Sequence, residues 1–116
     1  MKRDYKLFIA DILGAIENID RFIANKDFKR FFMDEKTKSA VVWQIHIIGE
    51  ATKNIPKFIR DRYKNLPWKE MAGIRDKISH FYFGIDYEIV WKVIKKRLPQ
   101  LKPQLEQVLK DLEDET

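Results

Sequence analysis

Cysteine is absent from this 116-residue chain. That excludes a disulfide framework and a thiolate metal site, and it fits a reducing cytoplasm, the expected compartment. Histidine is almost as scarce, present only as His46 and His80. Two imidazoles among scattered acids do not make a metal-ligand set, so no metal is expected. Glycine and proline number four each, and there is no low-complexity segment. No apolar run approaches membrane-spanning length. The start of the chain, Met1-Lys2-Arg3-Asp4, passes straight into an amphipathic pattern without the features of a signal peptide. Strand-like alternation and internal repeats are also missing.

What is present suits one helical domain spanning residues 1–116. Hydrophobic residues make up 45% and aromatic residues 13%, enough to bury a core at this length. Charged residues reach 35%, with Lys and Glu abundant, a composition that surface ion-pair networks of heat-stable proteins share. The net charge of +5 is unevenly placed. From Lys53 to Arg97 twelve cations face five acids, and from Gln100 onward two face five. A basic middle suits a polyanion partner. Lysines that merely solvate helix surfaces would look the same by charge alone.

Apolar periodicity divides the chain into helices. Tyr5, Phe8, Ile12, Ile16, Ile19 and Ile23 predict a helix over about 4–25, with Asp4 as N-cap and Asn25-Lys26 as the stop. Asp27 to Met33 reads as a short turn whose Phe28, Phe31 and Phe32 plug the end of a bundle. Asp34 caps a helix to about Asn54, with Val41, Ile45, Ile48, Thr52 and Ile55 inward. Gly49 sits within it at a cost of about 1 kcal/mol relative to Ala, which a close helix approach would explain. His46 flanks this stripe without an obvious companion and reads as structural. Pro56 opens a short helix to Tyr63. Pro67 opens the next, which should run past a possible bend at Gly73 to about Phe83-Gly84. Asp86 caps a helix that Pro99 ends. A last helix covers about 101–113 with Pro103 in its first turn, where no intrahelical bond is lost. Short links between amphipathic helices predict an all-α, antiparallel bundle of four main helices plus short ones.

The informative stretch is Gly73-Ile74-Arg75-Asp76-Lys77-Ile78-Ser79-His80-Phe81-Tyr82-Phe83-Gly84. Read as a helix to Tyr82, it places Met71, Ile74, Ile78, Phe81 and Tyr82 on one arc and Arg75, Asp76, Ser79 and His80 on another. Asp76 and His80, four apart, would touch. Arg75 and His80, five apart, would diverge by roughly 140°. A bend would bring them onto one atom, and so would a second copy facing the first across a two-fold axis; the second is favoured. Glu50 is either an exposed charge or a partner for the cations of this helix.

The Arg-x-x-x-x-His-x-Tyr spacing of Arg75, His80 and Tyr82 resembles the HEPN superfamily, and more closely the HepT-like toxins of HepT/MntA toxin–antitoxin pairs. Ile48-Gly49-Glu50-Ala51, Pro67-Trp68-Lys69, Ala72 to Asp76, His80 to Asp86, Val90-Trp91 and Leu98-Pro99 carry the likeness over roughly residues 5–112. The resemblance implies a homodimeric helical bundle acting as a metal-independent ribonuclease, without a cofactor, at a cleft to which both subunits contribute. It assigns Arg75 and His80 as the catalytic pair, with Asp76 at the polar position after the Arg. It makes Tyr82 the residue to which a partner MntA-type nucleotidyltransferase attaches AMP, silencing the toxin.

The chemistry suits these residue types. Transesterification of RNA needs a group that moves protons near neutral pH, and imidazole titrates there. It also needs fixed positive charge on the crowded phosphorane, which a guanidinium supplies in planar form. Asp76 would orient His80, and Ser79 and Glu50 are possible supports. The rival readings are a surface salt-bridge cluster, a binding module that docks a nucleotidyltransferase and a nucleotide without cutting RNA, and a structural helical partner.

Overall fold

The computed structural model describes residues 4–80 and 84–115, the side chain of His80 excepted. Three long helical stretches carry the fold. Helix α1 spans Tyr5–Phe22, α2 spans Phe28–Met33 and α3 spans Glu35–Lys53. Two short helices follow, α4 at Lys57–Arg62 and α5 at Trp68–Ala72, then α6 at Ile74–Ile78. A two-residue ladder pairs β1 (Ser79–His80) with β2 (Gly84–Ile85). Helix α7 at Tyr87–Lys92 passes through a π-helical turn at Val93–Arg97 into α8 at Leu98–Asp114. The architecture is an all-α bundle, as the periodicity predicts.

Asp side chains start the helices because each supplies an acceptor to amides that have no partner within the helix. Asp4 accepts from the Lys6 amide, Asp27 from Arg30 and Asp34 from both the amide and the hydroxyl of Thr37. Asp86 takes the amides of Glu88 and Ile89. Asn25 adopts φ 63° after α1, a left-handed conformation that Asn tolerates better than most residues.

The isoleucine stripe of α1 is buried against Val41, Ile45 and Ile48 of α3 and Leu101, Leu105 and Val108 of α8. Both neighbours run antiparallel to α1. Asn18 bonds Gln44 near the middle of α3, and Lys102 near the start of α8 pairs with Asp20 near the end of α1. Phe31 is fully buried at one end, its ring 5.1 Å from that of Trp91. Phe28 leans on the same indole, while Phe32 stays half exposed over Tyr87. Lys38, 6% exposed, runs its stem into this cluster. Its ammonium lies 4.5 and 4.4 Å from the centres of Phe32 and Tyr87 and 3.0 Å from Glu35, so the buried cation has both π faces and a carboxylate.

Three elements differ from the sequence expectation. Pro99 does not end a helix: the chain stays helical from Tyr87 to Asp114. The Leu98 amide reaches back to the Val93 carbonyl, five residues away, and this wider turn relieves the crowding that Pro99 imposes on the carbonyl four before it. Pro103 consequently lies inside α8 rather than in its first turn. The helix carrying the motif breaks at Gly73 and stops at Ile78 instead of continuing to Tyr82.

Candidate active site

The break at Gly73 is shallow. Its amide still bonds the Lys69 carbonyl and its carbonyl accepts from Lys77, so α5 and α6 form a bent pair. Met71, Ile74 and Ile78 anchor the pair in the core. Gly49 of α3 faces the bent pair. A Cβ there would lie 3.4 Å from Cγ2 of Ile74 and 3.5 Å from the Ala72 carbonyl oxygen. The close approach expected of Gly49 is present, although a methyl would sit at ordinary contact distance.

Glu70 fastens the pair to the far side. It receives Nε and an Nη of Arg97 at 2.9 and 2.6 Å in a bidentate pair, and Lys77 Nζ at 3.3 Å. The Arg97 hydrogen bonds, ahead of those from Lys77, hold the Glu70 carboxyl down at about 2. Two cations of the basic stretch are thereby committed to structure.

Arg75 and Asp76 are different. Both are exposed, and among the described residues neither makes a side-chain hydrogen bond or ion pair. They line a cleft of about 140 Å³ between α3 and the α5–α6 pair, together with His46, Glu50 and Lys53. Glu50 shares this cleft without bonding Arg75; it pairs with Lys53 of its own helix at 3.8 Å. His46, read from the sequence as structural, also lines the cleft. Its ring stacks at 5.3 Å and 30° against Trp43, which is 59% exposed. The spacing Trp43, His46, Glu50 puts an indole, an imidazole and a carboxylate on one line beside Gly49.

Ser79 closes α6. Its hydroxyl donates to the Arg75 carbonyl at 2.8 Å, and its backbone turns extended at φ −87°, ψ 136°. His80 then pairs with Gly84 across the ladder, and Gly84 makes this return at φ 81°. The expected face shared by Asp76 and His80 through helical spacing is therefore not formed, because the helix ends between them. The angular mismatch that favoured a second copy loses its premise for the same reason. The His80 side chain, and Tyr82 with its neighbours Phe81 and Phe83, lie outside the described residues. Among the described residues no three His, Cys, Asp or Glu side chains converge as a metal-ligand set.

A helical bundle whose cleft holds an exposed guanidinium and carboxylate, both unpaired among the described residues, together with an imidazole, has the features of a phosphodiester-handling protein. The comparisons define the class as ribonuclease. The profile of the family described as "Ribonuclease HepT-like" matches residues 12–108, and the chain belongs to that family of HEPN-type enzymes. It is 44% identical to the Methanocaldococcus jannaschii protein named "Putative RNase MJ0125" over 97% of each chain. It is 45% identical to that organism's "Putative RNase MJ1216", covering 97% of this chain and 93% of the relative. It is 44% identical to "Probable ribonuclease HepT" of Thermococcus cleftensis, covering 95% of this chain and all of the relative. No solved structure matches the chain. No helix among the described residues is long and apolar enough to cross a membrane.

Proposed function

We propose that this ribonuclease is the toxin of a toxin–antitoxin pair, and that it cuts RNA at a cleft completed by a second copy of the chain. The observation that carries this reading is the cleft in which Arg75 and Asp76 are exposed and, among the described residues, unpaired. Lys77 and Arg97, elsewhere on the basic stretch, are engaged by Glu70, whereas the Arg75 guanidinium has no partner among the described residues. At about 140 Å³ the cleft is smaller than pockets that enclose a ligand, which start at about 300 Å³. A facing surface would supply the remaining walls. The exposed indole of Trp43 beside it offers an apolar contact for that surface.

In the reaction, a ribose 2′-oxygen bonds to the adjacent phosphorus and the bond from phosphorus to the 5′-oxygen breaks. His80 takes the 2′-hydroxyl proton, and a proton is returned to the leaving 5′-oxygen. A 2′,3′-cyclic phosphate and a 5′-hydroxyl result. Arg75 binds the non-bridging oxygens as charge builds on them. Asp76, Ser79 and Glu50 have supporting roles around the pair. Silencing follows when a cognate MntA-type nucleotidyltransferase joins AMP to Tyr82: the phenol oxygen attacks the α-phosphorus of ATP and pyrophosphate leaves. The added negative charge and bulk exclude an RNA phosphate. This chemistry belongs in the cytoplasm, where RNA and ATP are both at hand.

Pure protein incubated with total RNA and a chelator tests the chemistry. Cleavage persists in the chelator, and His80→Ala lowers the rate by roughly 10²- to 10⁴-fold, the usual scale for losing a proton-transfer group. Wild type and His80→Ala leaving RNA equally intact would instead identify a non-cleaving module that docks the nucleotidyltransferase. With that partner and ATP, the chain gains mass in units of AMP and Tyr82→Phe does not.

A further inference from the structure

A second, larger concavity adjoins the cleft. It measures about 1050 Å³ and lies between the start of α1, the end of α3 and α4. Lys53 lines both this groove and the Arg75 cleft, so the two meet at that side chain. The groove is strongly one-signed: Lys6, Lys53, Lys57 and Arg60 line it against the single carboxylate of Asp4. Lys57 projects an 80% exposed side chain, and Arg60 has no ion-pair partner among the described residues. Lys6, Lys53 and Lys57 hold only surface pairs with Asp4, Glu50 and Asp61, worth little in water and readily exchanged for a phosphate.

The same groove holds an exposed aromatic. Phe58 is 57% exposed, yet its ring is fixed by an edge-to-face contact with Tyr5, 5.5 Å between centres at 89°. A rigid, solvent-facing ring between cations is the pairing that single-stranded nucleic acid uses: phosphates on the charges, a base on the ring. Such binding reads no sequence.

We propose that this groove is the track along which the RNA strand leaves the cleft, with Lys53 at the junction, Lys57 and Arg60 on phosphates and Phe58 stacking a base. The inference deepens the ribonuclease reading and rests on it, since the strand is the one whose scissile phosphate sits at Arg75.

The test is fluorescence anisotropy of the full chain with a labelled 2′-O-methyl oligouridylate of about twelve nucleotides, a length within the range one groove occupies. The methyl removes the attacking hydroxyl, so binding is read without cleavage. Phe58→Ala should weaken binding about tenfold. In Lys57→Gln/Arg60→Gln the slope of log affinity against log salt should fall by about 1.4, roughly 0.7 for each single-strand phosphate that no longer meets a cation. Unchanged melting curves establish that both variants fold. Variants that bind as wild type does, or a wild type that does not bind, overturn the track. A Phe58→Ala chain that changes assembly mass while keeping RNA affinity also overturns it and makes the groove an interface between copies. Cleavage of unmodified RNA is scored separately. Wild type that cuts while the variants bind normally sinks the track alone. Variants that lose binding while wild type cuts nothing sink the chemistry alone.

Discussion

At the scale of single residues, the site is distinguished by what its charges do not touch. Glu70 engages both Lys77 and Arg97, and Lys53 leans on Glu50, while Arg75 and Asp76 are exposed and, among the described residues, unpaired. Gly49 shows how a residue can look obligatory and not be. Mid-helix glycine costs about 1 kcal/mol against alanine, and the space around it admits a methyl at ordinary contact with Ile74 and Ala72. Gly49→Ala is therefore expected to stabilise the fold by up to about 1 kcal/mol, raising Tm by a few degrees in a thermal melt. A fall in Tm would mean that α3 and the α5–α6 pair cannot absorb the added carbon.

At the scale of elements, the bent α5–α6 pair is held on one side by apolar anchors and on the other by the Glu70 clamp. Folding lowers the Glu70 pKa from its ordinary 4.5 to about 2. A carboxyl depressed in the folded state contributes stability that is complete above its unfolded value and is lost as pH falls through the folded one. Glu70→Gln should melt several degrees below wild type at neutral pH, and the gap should narrow between about pH 5 and pH 2. A gap independent of pH would show that the clamp acts through packing and not charge.

Much of this level was legible from spacing. The caps at Asp4, Asp34 and Asp86 and the stripes of α1, α3 and α8 follow directly from periodicity and acceptor chemistry. The end of α6 was not. A wheel drawn through Tyr82 treats every residue as helical, but Ser79 bonds back to its own turn and its backbone turns extended. Pro99 misled in the opposite sense, because a π turn upstream lets the helix continue. That compensation depends on backbone geometry that no single residue announces.

At the scale of the whole molecule, two long helices run antiparallel to α1, and four cations of the basic middle, Lys53, Lys57, Arg60 and Arg75, line the cleft and the groove. His46 joined the site only through tertiary packing: its place beside Arg75 comes from the way α3 crosses the α5–α6 pair, and sequence spacing between the two is uninformative. In the proposed reading a second copy completes the site, since one chain offers a small, open cleft. The most direct measurement is complementation between two inactive chains. Arg75→Ala and His80→Ala, each lowering cleavage by roughly 10²-fold or more, are co-expressed with different tags, purified as a mixed assembly and sized by light scattering. A species of twice the chain mass that regains RNA cleavage well above either parent is the predicted result. A mixed assembly no more active than its parents, or a wild type that cuts RNA as a single chain, would contradict a cleft shared between copies.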